Sequence, residues 1–228
     1  MASDQRNSTQ IALNVTRTRV TVLVFNLTII AFMLSMMAQS GTSDSFAAKA
    51  HLVSSAALFV GFCLTLLGLL LLLHSQNFDA EGLSRLFPFT LGSITAYLAV
   101  SQTLTAFVHE YLLKVASELG ASPPAVAQGA EALARLAPFG DTALAVLYVM
   151  GAVIWVLITY AAPLGVALKS SARGGPGWIV AGYYLALQVP IYWVYAEAWR
   201  VQYAPADQPT NMLSLFALQF LQPLLWLR

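Results

Sequence analysis

Apolar and charged positions along this chain fall into long separate blocks. Six stretches, Val20–Ser43, Ala50–Phe78, Leu86–His109, Thr142–Leu168, Gly174–Ala196 and Gln208–Leu227, contain no Asp, Glu, Lys or Arg. A helix needs about 20 apolar residues to cross the ~30 Å hydrocarbon layer of a bilayer. The runs are continuous, whereas a membrane barrel alternates lipid-facing and lumen-facing residues. Inside lipid every backbone amide must be paired within the protein, which leaves helices as the spanning element. The pattern therefore predicts an all-α, polytopic transmembrane bundle of six spans, at about 20–38, 51–74, 86–109, 142–168, 177–197 and 211–227. Residues 1–19 form a polar N-terminal segment, and 20–228 a single membrane domain.

The first apolar run also has a basic flank, with Arg6, Arg17 and Arg19 before it. Its core from Val20 to Met37 exceeds the roughly 7–15 residues of a signal-peptide core, so a retained helix is expected. With the N-terminus inside, inner segments hold Arg6, Arg17, Arg19, Arg85, Lys169, Arg173 and Arg228, and outer ones Lys49, Lys114, Arg135 and Arg200. Seven against four predicts both termini on the cytoplasmic side. Between the third and fourth spans, Ser122-Pro123-Pro124 reads as a helix start. Beyond it Val126, Ala130, Leu133 and Ala137 share one face, and Gln128, Glu131 and Arg135 the other. An amphipathic helix over about 123–137, lying on the outer surface, is expected.

Composition sharpens this picture. Charged residues are 9% of the chain, against roughly 25% in soluble domains, and six spans leave no room for a soluble catalytic domain. A net charge of +1 gives no reason to expect a nucleic-acid partner. The single Cys63 excludes a disulfide within the chain and, deep in an apolar run, reads as a packing residue. The expected location is a bacterial inner or plasma membrane, with lipid as partner and a homo-oligomer or other membrane subunits around it.

Candidate chemistry is sparse. In the third span Thr90, Ser93, Tyr97, Ser101, Thr105 and His109 recur every three or four residues and share one helix face. Such a stripe suits either a hydrated path or ordinary helix–helix contacts, where Ser and Thr are favoured. Gln102 lies off the stripe and needs a partner from another helix. In the second span Ala57, Gly61 and Gly68 form a small-residue face for close backbone approach. The fifth span is rich in Trp and Tyr, with Gln188 and Pro190 near its middle; Pro163 in the fourth span and Pro223 in the last also remove helix hydrogen bonds.

Under the N-in topology His51, His109, Glu110, Asp141 and Glu197 converge at the outer boundary, where they would form a cation- or proton-responsive mouth. No Gly-x-Ser-x-Gly or His-Glu-x-x-His pattern accompanies them, so no enzyme and no cofactor is expected. No acidic or basic residue lies at mid-membrane, where coupled transporters commonly carry one. The expected function is a channel or passive transporter for ions, cations favoured, or a small solute. The alternative is a non-catalytic accessory or assembly subunit of a larger membrane complex, and a metal- or haem-binding intramembrane enzyme ranks behind both.

Overall fold

The computed structural model describes residues 17–35, 52–75, 83–120, 142, 145–146, 148–172, 177–203 and 211–225, the side chains at 83–86, 111–120 and 170–172 excepted. Over these residues the chain is helical and without strand. We label the elements α1 (Arg17–Ser35), α2 (Leu52–His74) and α3 (Leu83–Gly120). Next, α4, described without a gap from Tyr148, passes through a π-helical turn at Leu157–Ala161 and ends as regular helix over Ala162–Ala172. The last are α5 (Gly177–Tyr203), α6 (Met212–Gln219) and α7 (Gln222–Leu225). Five of them, α1 to α5, contain stretches long and apolar enough to cross a membrane. The chain is an integral, multi-pass membrane protein.

Two elements differ from the sequence expectation. The apolar spanning stretch of the third helix, Phe87–Glu110, agrees with the expected 86–109, but the helix itself runs on to Gly120, giving 38 residues, or about 57 Å at 1.5 Å per residue. No Gly or Pro interrupts Glu110–Leu119, so nothing ends the helix before Gly120. Residues 114–120, read from sequence as the start of an outer connector, are therefore helix. The second difference is at the C-terminus, where the expected span 211–227 is broken into eight and four helical residues. Asn211 caps the first piece, its side chain accepting from the Leu213 and Ser214 amides at 3.0 and 3.4 Å. Pro223 has no amide to offer the Gln219 carbonyl and crowds it. The chain tightens there, with Phe220, Leu221 and Leu224 amides bonded three residues back. The expected outer helix at 123–137, and the residues His51 and Asp141, lie outside the described residues.

Long-range contacts set the packing. Down the α2–α3 pair, Ser54 meets His109 and Gly61 meets Ala99 and Thr103. Further along, Gly68 meets Ala96 and Gly92 meets Leu72. This is an antiparallel hairpin in one steady register. The small-residue face of α2 lets the Ala99 carbonyl come within 3.5 Å of where a Cβ on Gly61 would stand. The same antiparallel register holds between α1 and α2, where Asn26 meets Thr65 and Leu23 meets Gly68. In the centre of the bundle is α3, with 78% of its spanning stretch buried against 22% for α1 and α4.

An apolar core is present, but burial does not sort apolar from polar side chains as it does in a water-soluble protein. Phe25, Phe59, Leu70, Leu213 and Trp178 are mostly exposed, while Asn26, Thr65, Ser101, Gln102, Gln188 and Gln219 are at most 3% exposed. Apolar side chains gain nothing by leaving lipid tails, so association relies on close packing and on polar groups finding each other.

Candidate functional site

The polar residues of α3 meet two kinds of partner. Several hydroxyls bond back to their own helix: Ser93 to the Phe89 carbonyl at 2.5 Å, Thr95 to Leu91 at 2.8 Å, Ser101 to Leu98 at 2.9 Å and Thr105 to Ser101 at 2.9 Å. Others are bridged from neighbouring helices. The Tyr183 hydroxyl of α5 lies 2.6 Å from Thr95 Oγ1, and Trp155 Nε1 of α4 donates to Thr105 Oγ1 at 3.0 Å. Gln102 finds its partner on α5, where the Tyr195 hydroxyl donates to its Oε1; its Nε2 donates to Ser101 Oγ at 3.0 Å. Tyr97, grouped with the stripe by spacing, is half-buried while its neighbours Ser93 and Ser101 are buried.

On α5 the aromatic residues divide by face. Tyr192 and Tyr195 are buried with Gln188, and Trp178 and Trp193 point outward. Tyr184, Gln188, Tyr192 and Tyr195 follow each other every three or four residues, so one side of α5 is polar and faces inward. Opposite it α4 departs from regular helix. The π-turn runs over Leu157–Ala161, with the Ala162 amide bonded five residues back to Leu157. Pro163 follows and supplies no amide, which strips the Thr159 carbonyl of its usual partner four residues on. The Tyr184 hydroxyl replaces that partner at 2.7 Å. One residue along, Tyr160 donates to the Phe220 carbonyl at 2.5 Å, and its oxygen lies 3.1 Å from the Tyr192 hydroxyl. Thr159 Oγ1 and both amide atoms of Gln188 are buried without a hydrogen-bond partner.

Further along α3, eleven residues before its end at Gly120, His109 is 8% exposed. Its Nδ1 lies 2.9 Å from Ser54 Oγ on α2, and its Nε2 lies 2.9 Å from the Tyr203 hydroxyl on α5. A neutral imidazole donates from one nitrogen and accepts at the other, and hydroxyls can serve either side. His109 thus links α2, α3 and α5. Beside it Gln202 Oε1 accepts the Val53 amide at 2.8 Å, tying the end of α5 to the start of α2. Glu197 pairs with Arg200 on its own helix at 2.8 Å and is partly exposed. Glu110 is half-buried next to His109. Among the described residues no three His, Cys, Asp or Glu side chains gather as a metal site.

Sequence reasoning picked out His109, Gln102 and Gln188 but not Ser54, Trp155, Thr159 or Tyr203. Ser54 and Tyr203 are ordinary interfacial residue types, and only the packing of α2 and α5 onto α3 brings them to His109. Asn26 was not singled out either; its amide donates to Thr65 Oγ1 at 3.0 Å within the α1–α2 contact. An open apolar groove of about 450 Å³ borders the core, lined by Tyr148, Trp155, Leu157, Tyr160, Phe220 and Leu224 among others. The chain matches no family model, no curated protein and no solved structure.

Proposed function

We propose that this protein passes a small solute or ion passively across the membrane, through the polar core shared by α3, α4 and α5. The supporting observation is the run of buried, uncharged polar side chains from His109 through Thr105, Ser101, Gln102 and Gln188 to Thr159. Hydroxyls, amides and phenols of this kind replace lost water contacts without fixing a charge in the low-dielectric interior. In this reading the chain has six crossing segments with both termini cytoplasmic and α6–α7 completing the sixth. Residues 123–137 lie as an amphipathic helix on the outer face. The outer mouth is formed by His109, Glu110 and Glu197 with His51 and Asp141, and the working unit is an oligomer.

The test is flux through purified protein in liposomes, with K⁺, Na⁺, Cl⁻ and H⁺ gradients and osmotic steps of urea and glycerol, at two pH values. Flux above empty liposomes that changes in His109→Ala supports the reading. No flux of any of these from correctly inserted protein ends it. A second reading, a non-catalytic accessory subunit, draws on a different observation: the α3 hydroxyls spend their protons on carbonyls of their own helix. A membrane partner that co-purifies stoichiometrically, together with no flux, would establish that role. A cysteine at Ser3, in a Cys63→Ser background, should be labelled by an impermeant reagent only after cell lysis.

A further inference from the structure

Among the described residues the buried side-chain amides are hydrogen-bonded, with one exception. Asn26 bonds Thr65, Gln102 bonds Tyr195 and Ser101, Gln219 bonds the Leu215 carbonyl, and Gln222 bonds Gln219. Gln188 is 1% exposed, yet its Oε1 and Nε2 both lack a hydrogen bond. Thr159 is fully buried, and its Oγ1 is likewise unpartnered. Both residues adjoin Tyr184. Tyr184, a turn before Gln188, donates to the Thr159 carbonyl at 2.7 Å, and the Gln188 amide lies beside that same hydroxyl, outside hydrogen-bonding geometry.

A primary amide buried dry forfeits its water contacts and receives nothing back, a cost native interiors avoid by pairing or by holding water. The backbone here is also unusual. Thr159 is the middle residue of the π-turn, and single π-turns inside α-helices recur at functional sites. Gln188 Oε1 requires a donor, its Nε2 requires an acceptor, and Thr159 Oγ1 can serve as either. With no acidic or basic residue in the 142–168 and 174–196 stretches, a charged occupant would find no countercharge.

We propose that the Thr159–Gln188 locus of α4 and α5 binds a small neutral molecule carrying both hydrogen-bond donors and acceptors, in the size range from water to urea. This names the solute class for the conduction reading and rests on that reading for its purpose, although occupancy itself does not require flux. The occupant satisfies the Gln188 amide and the Thr159 hydroxyl together, bridging the two helices where the π-turn faces α5.

The test is solid-state NMR of the full chain in lipid bilayers with ¹⁵N-labelled glutamine, the Gln188 side-chain signal being assigned by its loss in Gln188→Leu. Magnetisation transfer to Gln188 Nε2 from water protons, or from added ¹³C-urea, supports the site, and the two arms tell a water site from a solute site. Transfer from neither overturns it. Thermal unfolding supplies a check in the isosteric Thr159→Val variant as well as in Gln188→Leu. An occupied site loses its bridge in both, so the midpoint falls. A dry site is relieved of a buried polar group, so a rise in the midpoint for both overturns the proposal. Occupancy by NMR with no flux in liposomes would remove the conduction reading alone.

Discussion

Replacing Gly92 with alanine adds one methyl group to α3 where it faces α2. An ideal Cβ at that position would stand 2.9 Å from Leu72 Cγ, 3.1 Å from Leu72 Cδ2 and 3.2 Å from Leu71 Cβ. Leu72 is fully buried, so it cannot swing into lipid, and the hairpin itself must part. Gly182 on α5 provides the control, because a Cβ there meets nothing within 4 Å. Both substitutions carry the same helix-propensity gain, about 1 kcal/mol for Gly to Ala. The difference between the two variants therefore isolates the steric cost. Overpacking a close contact costs about 1–3 kcal/mol, which is roughly a 5- to 150-fold difference in the unfolding equilibrium. Reversible unfolding by SDS in mixed micelles, followed by tryptophan fluorescence and far-UV circular dichroism, measures both against wild type. Gly92→Ala should be the less stable of the pair. Equal stability would mean that α2 and α3 do not approach as described, and the steady register built on that contact would go with it.

Three further outcomes follow from the hydrogen bonds of the core. Tyr184→Phe should cost about 0.6–1.7 kcal/mol, the range for a membrane-buried hydrogen bond, and the loss should shrink in a Pro163→Ala background. The alanine amide there can take over the Thr159 carbonyl, so a double-mutant cycle with no coupling would show that Pro163 does not create the need for Tyr184. Thr105→Val leaves Trp155 Nε1 without its 3.0 Å acceptor. A comparable loss of stability and a shift in tryptophan fluorescence are expected, and unchanged values for both would count against that contact. Ser54→Ala and Tyr203→Phe each remove one partner of His109; if His109 governs conduction, each should alter the pH dependence of flux, and two unaltered profiles would take His109 out of the pathway.

The α-helical class and the membrane setting were legible because both depend on quantities that add along the chain. Twenty apolar residues in a row are visible without knowing any neighbour. The small-residue face of Ala57, Gly61 and Gly68 was also readable, since spacing alone puts those residues on one side of α2. Helix ends were read less well. The 38-residue length of α3 follows from the lack of a breaker after Glu110, which the polar character of that stretch concealed. At the break before Pro223 the Phe220 carbonyl is taken by Tyr160, a partner 60 residues away that no local pattern reveals.

The candidate site was only half visible. Gln102 and Gln188 stood out as amides in apolar runs, but their fates are opposite: one is bonded on both sides, and the other makes no hydrogen bond. No local feature distinguishes them, because the difference lies in which face of α4 or α5 is opposite. The sequence by itself determined that this protein lives in a bilayer as helices, since the cost of an unpaired backbone in lipid is the same whatever the fold. Only the tertiary structure decided that α3 is the central helix, that Pro163 and the π-turn leave a carbonyl to Tyr184, and that His109 binds Ser54 and Tyr203. Those outcomes depend on distances between helices far apart in the chain, and hydrogen bonds of 2.5–3.1 Å tolerate no averaging over alternative packings.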